Sequence, residues 1–305
     1  MNRIYFLSLC LLISIFSCCA GATQKSSQDN LQVAENEIET LELPKPPSTL
    51  STPEEKADFI LLHFWDGLDF SDTVRSHDID FMEQNFSNFI SIMPYADEKG
   101  VKDAVKKLYE KAGSDAKAYN IINDISEKYL YDPLSPMLNE ESYLIFLEVR
   151  KEMANKNDRS LARAESQLEE VIKNRVGSKA ADFEFMTIKG DKRRLSDIEL
   201  ADDNMLIFFD PDCETCHEVI NRLRKNNRIE EGIKGGTLKI IAVYSGPDKE
   251  KWDTYASTLP ASWIVGYEPG KIEDEEIYIL RAMPTVYVLN KNGEVKAKDV
   301  IIDGE

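Results

Sequence analysis

The residues best suited to chemistry in this chain are two cysteines three positions apart, Cys213 and Cys216, in the run Cys-Glu-Thr-Cys. An apolar stretch that predicts a buried strand precedes them, and a stretch with helical periodicity follows. A pair at this spacing can close a disulfide and reopen it. The first sulfur would lie at a helix N-terminus, where the dipole and free N–H groups favour a thiolate. Cys213 is therefore expected to be the more exposed and more acidic thiol.

A second notable segment, Met283-Pro284-Thr285, lies far downstream at the head of an apolar strand. Proline removes a hydrogen-bond donor from a sheet ladder, so it belongs at the start of a strand. The Met283–Pro284 bond is a candidate for the cis form.

Three other interpretations of the cysteine pair are weaker. Cys213-Glu-Thr-Cys216-His217 also matches the attachment signal for c-type haem, but the strand before the motif and the proline-headed strand after it are not cytochrome features. A zinc site would need two more ligands, and His63 and His77 are the histidines left. A purely structural disulfide at this spacing closes almost no loop and stabilises little.

One histidine and a group of three aspartates could have a chemical role, but a structural role is the more common one for such residues. His217 could relay a proton beside Cys216, although an exposed side chain in the first helical turn is the commoner case. Asp66, Asp69 and Asp72 could suggest calcium, but they lack the glycine and closing glutamate of a calcium loop. Capping and turn roles are expected for them. No metal is expected, and no cofactor other than the redox-active disulfide of the cysteine pair.

The first 17 residues have the pattern of a secretion signal. Their apolar core at 4–16 follows Arg3 and is shorter than the roughly 20 residues that a bilayer span needs. Next, Ile15-Phe16-Ser17-Cys18 resembles a bacterial lipobox, which implies that Cys18 is lipidated and becomes the mature N-terminus. The alternative is an ordinary signal peptide, although no Ala-x-Ala cleavage site competes convincingly. We expect a lipid-anchored protein of the cell envelope that faces the periplasm and contacts the bilayer through its acyl chains.

Cysteine use and charge narrow the classes of function. Of the five cysteines, Cys10 would leave with the signal, Cys18 would carry lipid and Cys19 would lie beside the anchor. An exported chain with one remaining pair does not use disulfides as structural staples, so that pair is expected to be chemical. The net charge of −18 argues against nucleic acid or an anionic membrane surface as the main partner.

Composition divides the rest of the chain into a tether and two domains. Residues 18–52 contain no aromatic side chain and are interrupted by prolines, which predicts a lipidated flexible tether. Thr52-Pro53-Glu54-Glu55 predicts a capped helix start, and helical periodicity continues without a strand pattern, so 53–175 should be an all-α domain. Over 176–305, strands alternate with helices, which predicts an α/β domain.

The patterns give approximate element boundaries. In the first domain they predict helices at Ile79–Met93, Val101–Ala112, Ala116–Tyr131, Glu140–Ala154 and Leu161–Val176. In the second they predict a hairpin turning at Lys189–Lys192, strands at Leu206–Phe209, Leu238–Tyr244 and Trp263–Tyr267, helices at Cys213–Lys225 and Glu273–Leu280, and a closing hairpin turning at Asn292-Gly293.

The second domain resembles the thioredoxin-like lipoproteins and membrane-tethered cytochrome-maturation reductases of Gram-negative envelopes. The resemblance is carried by Gly177-Ser-Lys-Ala-Ala-Asp182-Phe183, by the Cys-x-x-Cys pair and by Met283-Pro284-Thr285. It implies a thioredoxin fold in which Cys213 attacks a substrate disulfide, Cys216 resolves the mixed disulfide, and the cis-proline loop of Met283, Pro284 and Thr285 holds the substrate strand close by. The helical part resembles an uncharacterised domain found ahead of such folds, through the stretches 64–72 and 129–136.

The chain departs from that family's pattern in three places. Val219 stands where a glutamate often follows the second cysteine by three residues, and Asp212 replaces the usual tryptophan before the first. The sequence after the closing hairpin leaves no room for the usual C-terminal helix. One face of the sheet is then either thinly covered or covered by the helical domain.

The resemblance implies a lipid-anchored thiol–disulfide oxidoreductase that acts on protein thiols and disulfides and receives electrons from a membrane donor upstream. Asp210, Asp212 and Glu214 flank the first cysteine, and no Lys or Arg occurs from 204 to 216. Negative neighbours disfavour a thiolate, which predicts a reductant or isomerase rather than a strong oxidant. The alternative is a non-catalytic thioredoxin-fold scaffold lipoprotein whose cysteines are vestigial.

Overall fold

The computed structural model describes residues 39–153 and 159–302. Three of the predicted features lie outside the described residues: the signal peptide (1–17), the predicted lipidation site Cys18, and residues 19–38 of the predicted tether. No helix in the described ranges is both long enough and apolar enough to cross a membrane.

The first domain consists of helices wherever its chain is described. They are α1 (Pro53–His63), α2 (Thr73–Ser76), α3 (Ile79–Ile92), α4 (Glu98–Ala112), α5 (Ala116–Leu130), α6 (Glu140–Met153) and α7 (Arg159–Ile172). The capping box that starts α1 is present, because Thr52 Oγ1 accepts from the Glu55 N–H at 3.1 Å and the Glu55 carboxylate accepts from the Thr52 N–H at 3.0 Å. Pro53 occupies the first helical position, where a missing N–H costs nothing.

Aromatic side chains fill the core of the helical domain. The rings of Phe64, Phe86, Phe89, Tyr109 and Phe146 are fully buried. Neighbouring rings meet edge-on or tilted, as Phe64 and Phe89 do at 5.5 Å between centroids. Such pairs add to the free energy of burying the apolar surface itself.

Residues 39–41 of the predicted tether pack against this domain. Leu41 is buried, and its N–H donates to the side-chain oxygen of Asn85 at 2.7 Å. The Asn85 amide in turn donates to the Glu39 carbonyl at 3.3 Å, and Glu39 pairs with Arg75. The prediction of a flexible tether therefore does not hold for residues 39–41, which pack against the helical domain. The buried amide of Asn85 needs hydrogen-bond partners, and the backbone of 39–41 supplies them.

The second domain is built on a mixed seven-stranded sheet in the order β2-β1-β5-β4-β3-β6-β7. Strands β3 and β4 are parallel, as are β4 and β5, whereas β6 runs antiparallel to β3. The strands are β1 (Glu184–Thr187), β2 (Lys192–Arg194), β3 (Asp203–Phe209), β4 (Leu238–Ser245), β5 (Ile264–Glu268), β6 (Thr285–Asn290) and β7 (Val295–Ala297). The helices are α8 (Glu214–Lys225), α9 (Asn227–Lys234), α10 (Lys249–Ala256) and α11 (Lys271–Asp274).

Alternation along β3 separates two apolar layers. Ile207 and Phe209 face the layer that contains α8 and α10, with Cys216 and Trp252. Leu206 and Phe208 face the opposite layer, with Phe183, Tyr278 and Leu289 among its members. A central strand buried on both faces explains why 206–209 is a continuous apolar run in the sequence.

Two regions of this domain differ from the expected elements. The helix predicted at Glu273–Leu280 is the single turn α11, and the chain leaves it at Glu276 with a φ of 48°. This exit allows the Tyr278 hydroxyl to donate to the Ala181 carbonyl at 2.6 Å while its ring packs on Phe183 and Phe208. The sequence patterns did not predict α9 and α10.

Residues 298–302, which follow β7, are not helical. Val300 N–H donates to the Val286 carbonyl at 3.1 Å, and Val300 and Ile302 pack against the apolar layer of α8. This segment thus covers part of the sheet face for which the resemblance left two possibilities, thin cover or cover by the helical domain.

A buried group of four charged side chains joins the two domains. Arg281 pairs with Glu140 at the start of α6 and with Asp299, while Lys298 also pairs with Glu140. Each of these side chains is at most 13% exposed. The Arg281 guanidinium also lies 3.9 Å from the centre of the Tyr131 ring and donates to the Tyr131 carbonyl. We call the four charged residues, Glu140, Arg281, Lys298 and Asp299, the interdomain charge cluster.

Candidate functional site

Cys213 and Cys216 lie at the start of α8, and both are free thiols. Cys213 occupies the N-cap position, and its Sγ accepts a hydrogen bond from the Cys216 N–H at 3.1 Å. On its other side, Cys213 Sγ lies 3.5 Å from the Met283 carbonyl oxygen. A sulfur in this position receives an N–H and the positive end of the helix dipole, both of which favour a thiolate.

The turn between β3 and α8 places Cys213 at the helix start. The side chain of Asp210 accepts from the Asp212 N–H at 2.7 Å, and the Asp210 carbonyl accepts from the Cys213 N–H at 3.1 Å. Aspartate stabilises turns in this way because its short side chain reaches the backbone two residues ahead. The turn therefore fixes the direction in which Cys213 projects.

The two sulfurs have different surroundings. Cys213 is partly exposed, whereas Cys216 is fully buried in the layer that contains Ile220 and Trp252. Burial raises the pKa of the Cys216 thiol far above its ordinary value, and its hydrogen bond with Cys213 raises it further. Cys216 is therefore a protonated thiol at neutral pH, and the expectation that Cys213 is the more exposed of the pair is confirmed.

The segment 283–285 faces the cysteine pair from the head of β6. The Met283–Pro284 bond is cis, as expected from the sequence. Thr285 is buried, and its hydroxyl donates to the Ala282 carbonyl at 2.5 Å. The structure thus brings the three downstream residues to the cysteines, with the direct contact made by the Met283 carbonyl.

Lys251 is a charged residue of this site that sequence reasoning missed. It projects from α10, and its Nζ lies 2.6 Å from Asp212 Oδ2 and 3.6 Å from Asp210 Oδ1. The acidic loop around Cys213 therefore has a cation beside it, although none occurs nearby in sequence. The missing signal was the helix α10 itself, which the sequence patterns did not predict.

His217 is occupied by the loop that precedes Cys213. Its Nε2 lies 2.6 Å from the Pro211 carbonyl, to which it donates, and its ring stacks on Tyr255 with 5.0 Å between centroids. These two contacts stabilise the turn at Pro211. Proton relay through Nε2, or ligation of a haem iron by it, would require this hydrogen bond to break.

In the described parts of the chain, no group of three or more His, Cys, Asp or Glu side chains is arranged to hold a metal. The residues considered for zinc or calcium have other contacts. His63 bonds Asp66, His77 bonds Asp115, Asp69 accepts from Ser71, and Asp72 caps α2.

A mainly apolar cavity of about 250 Å³ lies beside the cysteine pair. Met283, Pro284 and Thr285 form one side of it, and Thr215 and Val219 of α8 form another. The segment at 299–302 contributes a third side, and Pro133 and Leu134 reach it from the helical domain. We call this cavity the groove. Leu134 is 84% exposed and was not singled out from the sequence.

This arrangement of a mixed sheet, a Cys-x-x-Cys pair at the start of α8 and a proline loop opposite defines the second domain as thioredoxin-like. Residues 17–174 match a family described as a domain of unknown function, DUF5106. This match covers over half of the chain, so the protein belongs to the DUF5106 family, with a thioredoxin-like domain after the helical one. The predicted fold class is confirmed.

Known proteins that are similar to this chain include one solved structure and one curated oxidoreductase. A thioredoxin-like protein from Bacteroides caccae ATCC 43185 is 32% identical over 87% of this chain and 95% of its own, with a TM-score of 0.79. The thiol-disulfide oxidoreductase ResA of Geobacillus kaustophilus (strain HTA426) is 28% identical over 126 residues, which are 40% of this chain and 67% of ResA.

Proposed function

We propose that this protein is a thiol–disulfide oxidoreductase that exchanges disulfides with protein substrates through Cys213 and Cys216. The observation that carries the proposal is the position of Cys213 Sγ at the N-terminus of α8, partly exposed and 3.1 Å from the Cys216 N–H. Similarity to a protein named as a thiol-disulfide oxidoreductase supports it.

The reaction begins when the Cys213 thiolate attacks one sulfur of a substrate disulfide. The substrate S–S bond breaks, the departing sulfur leaves as a thiolate and takes up a proton, and Cys213 is now joined to the substrate. Cys216 then loses its proton and attacks Cys213 Sγ, which releases the second substrate thiol and leaves the Cys213–Cys216 disulfide. Two electrons pass from the cysteine pair to the substrate, so a dithiol donor must reduce the pair again.

The proposed direction in the cell is reduction or isomerisation, with that donor in the membrane. The three acidic residues beside Cys213 favour this direction because they oppose a stable thiolate, although Lys251 offsets two of them. Equilibration with glutathione should give a potential nearer about −270 mV than about −120 mV. A value above about −150 mV would show that the argument from the acidic loop is wrong.

Reduction of insulin and trapping of mixed disulfides test the function itself. The wild-type protein should reduce insulin when supplied with dithiothreitol, and Cys213→Ser should not. Cys216→Ser should accumulate a mixed disulfide because the resolving thiol is missing. If the wild type is inactive and Cys216→Ser traps no protein from the native envelope, the non-catalytic scaffold becomes the better interpretation.

A further inference from the structure

The groove beside the cysteine pair has one wall from outside the thioredoxin-like domain. That wall is the α5–α6 loop (residues 131–139), which carries Pro133 and Leu134. Single exposed leucines are ordinary on protein surfaces. Leu134 differs from most exposed leucines in its position, because it lies at the rim of the groove that the proline loop also lines.

Hydrogen bonds and prolines restrict the backbone of the α5–α6 loop around Leu134. The Leu134 N–H donates to the Asp132 side chain at 2.8 Å, and the Ser135 hydroxyl donates to the Tyr129 carbonyl at 2.6 Å. Pro133 and Pro136 restrict the backbone on either side of this turn. The backbone around Leu134 therefore has little conformational entropy to lose when something binds against this loop.

The same loop is tied to the proline loop. Arg281 directly precedes Ala282 and Met283, and it donates to the Tyr131 carbonyl at the base of the α5–α6 loop. The interdomain charge cluster thus fixes Leu134 relative to Pro284. The two walls of the groove are thus linked by ion pairs and hydrogen bonds although they come from different domains.

The lining of the groove indicates the chemistry of its occupant. Its charged members, Arg222 and Asp299, already have partners, because Arg222 bonds the Ile302 carbonyl and Asp299 pairs with Arg281. The remaining lining is almost entirely apolar and includes Met283 and Ile301. A volume of about 250 Å³ suits one or two side chains rather than a drug-sized ligand, which takes roughly 300–1,000 Å³.

On the basis of the proposed function, we propose that Leu134 of the helical domain is a specificity-determining contact for the substrate polypeptide. The groove takes an extended segment with a large apolar side chain next to its disulfide-bonded cysteine. That side chain packs between Leu134 and the proline loop while the substrate disulfide lies at Cys213. The helical domain, to which no function is assigned, thereby takes part in selecting the substrate.

The test compares three disulfides as substrates of the full chain. Two are disulfide-linked peptide dimers that differ only in the residue before cysteine, leucine in one and serine in the other. The third is a small aromatic disulfide, dithiobis-nitrobenzoate, which has no polypeptide segment to occupy the groove. The variants are Leu134→Ser, the conservative Leu134→Met, and Val74→Ser as a matched control, since Val74 is 81% exposed in the same domain and does not line the groove.

Leu134→Ser should raise the KM for the leucine peptide about tenfold, the effect expected for losing an apolar contact of this size. The kcat, the KM for the serine peptide and the rate with the small disulfide should stay unchanged. Leu134→Met should restore most of the preference, and Val74→Ser should behave as wild type.

Equal KM values for Leu134→Ser and wild type would overturn the inference and leave the proposed function intact. If Leu134→Ser lost as much activity with the small disulfide as with the leucine peptide, the inference would also be overturned, because the effect would then arise at the cysteines. Inactivity of the wild type towards all three disulfides would overturn the proposed function and this inference together.

Discussion

The two sulfurs of this site share one helix turn but differ in accessibility. Cys213 caps α8 from its outer end, where the backbone N–H of Cys216 points at it. Cys216 faces inward, and its thiol is fully buried. This difference assigns the roles, because an attacking sulfur must reach the substrate and a resolving sulfur must reach only Cys213.

We predict that alkylation of the reduced protein marks Cys213 first. Burial raises the pKa of Cys216, so its thiolate fraction stays below that of an ordinary thiol from pH 6 to pH 9. Mass spectrometry after brief treatment with iodoacetamide should find label on Cys213 across this range and on Cys216 only as the pH rises further. In urea the two should react at similar rates, and preferential labelling of Cys216 in the folded protein would reverse the assignment.

We predict that Lys251 makes the redox potential of the Cys213–Cys216 pair less negative. Lys251→Met leaves the carboxylates of Asp210 and Asp212 without their cation, which makes the nearby thiolate less stable and the potential more negative. A contribution of about 0.2–1 kcal/mol, typical of an accessible ion pair, corresponds to roughly 5–20 mV. Equilibration with glutathione measures the change.

Lys249→Met is the matched control for Lys251. Lys249 lies on the same helix but pairs with Asp253 instead of the loop beside Cys213. Its removal should leave the potential unchanged. Equal shifts for the two variants would mean that net charge, rather than position, sets the effect.

At the scale of elements, the interdomain charge cluster links the proline loop to the helices. Arg281 joins three elements, because it contacts the end of α5, the start of α6 and the segment after β7. Its charge is buried together with the carboxylates that neutralise it. Such a group is costly to break, because removal of one member leaves another without compensation.

Arg281→Met should lower the free energy of unfolding by about 3–5 kcal/mol, the range for one lost member of a buried ion pair. Lys173→Met is the comparison. Lys173 also crosses between the domains, but its partner Glu276 is exposed, so a loss under about 1 kcal/mol is expected. Urea unfolding followed by circular dichroism measures both. Similar losses for the two variants would contradict the distinction between buried and exposed pairs.

The elements were predictable from the sequence where local signals were strong. The helix at Ala116–Leu130 has a clear apolar period, and β3 is a continuous apolar run; both lie where the patterns placed them. The Cys-x-x-Cys pair and the proline loop were also identified from their residues. Lys251, Leu134 and Arg281 were not, because their roles depend on contacts between residues far apart in sequence.

At the scale of the whole molecule, attachment to the membrane remains a prediction from residues outside the described ranges. We expect Cys18→Ser to release the protein from the membrane fraction or to leave it unprocessed, because acyl chains would supply the membrane affinity that a surface of net charge −18 does not. Membrane fractionation and the intact mass of the mature protein measure this. Unchanged fractionation with no mass difference would rule out lipidation at Cys18.

The interdomain charge cluster also limits how the two folds can be recombined. Glu140 comes from the helical domain, whereas Arg281, Lys298 and Asp299 come from the thioredoxin-like domain. A chimaera that joined these helices to a foreign thioredoxin would bury Glu140 against side chains not matched to it. The helical and thioredoxin-like domains are therefore not interchangeable. A chimaera would have to keep all four residues of the interdomain charge cluster together.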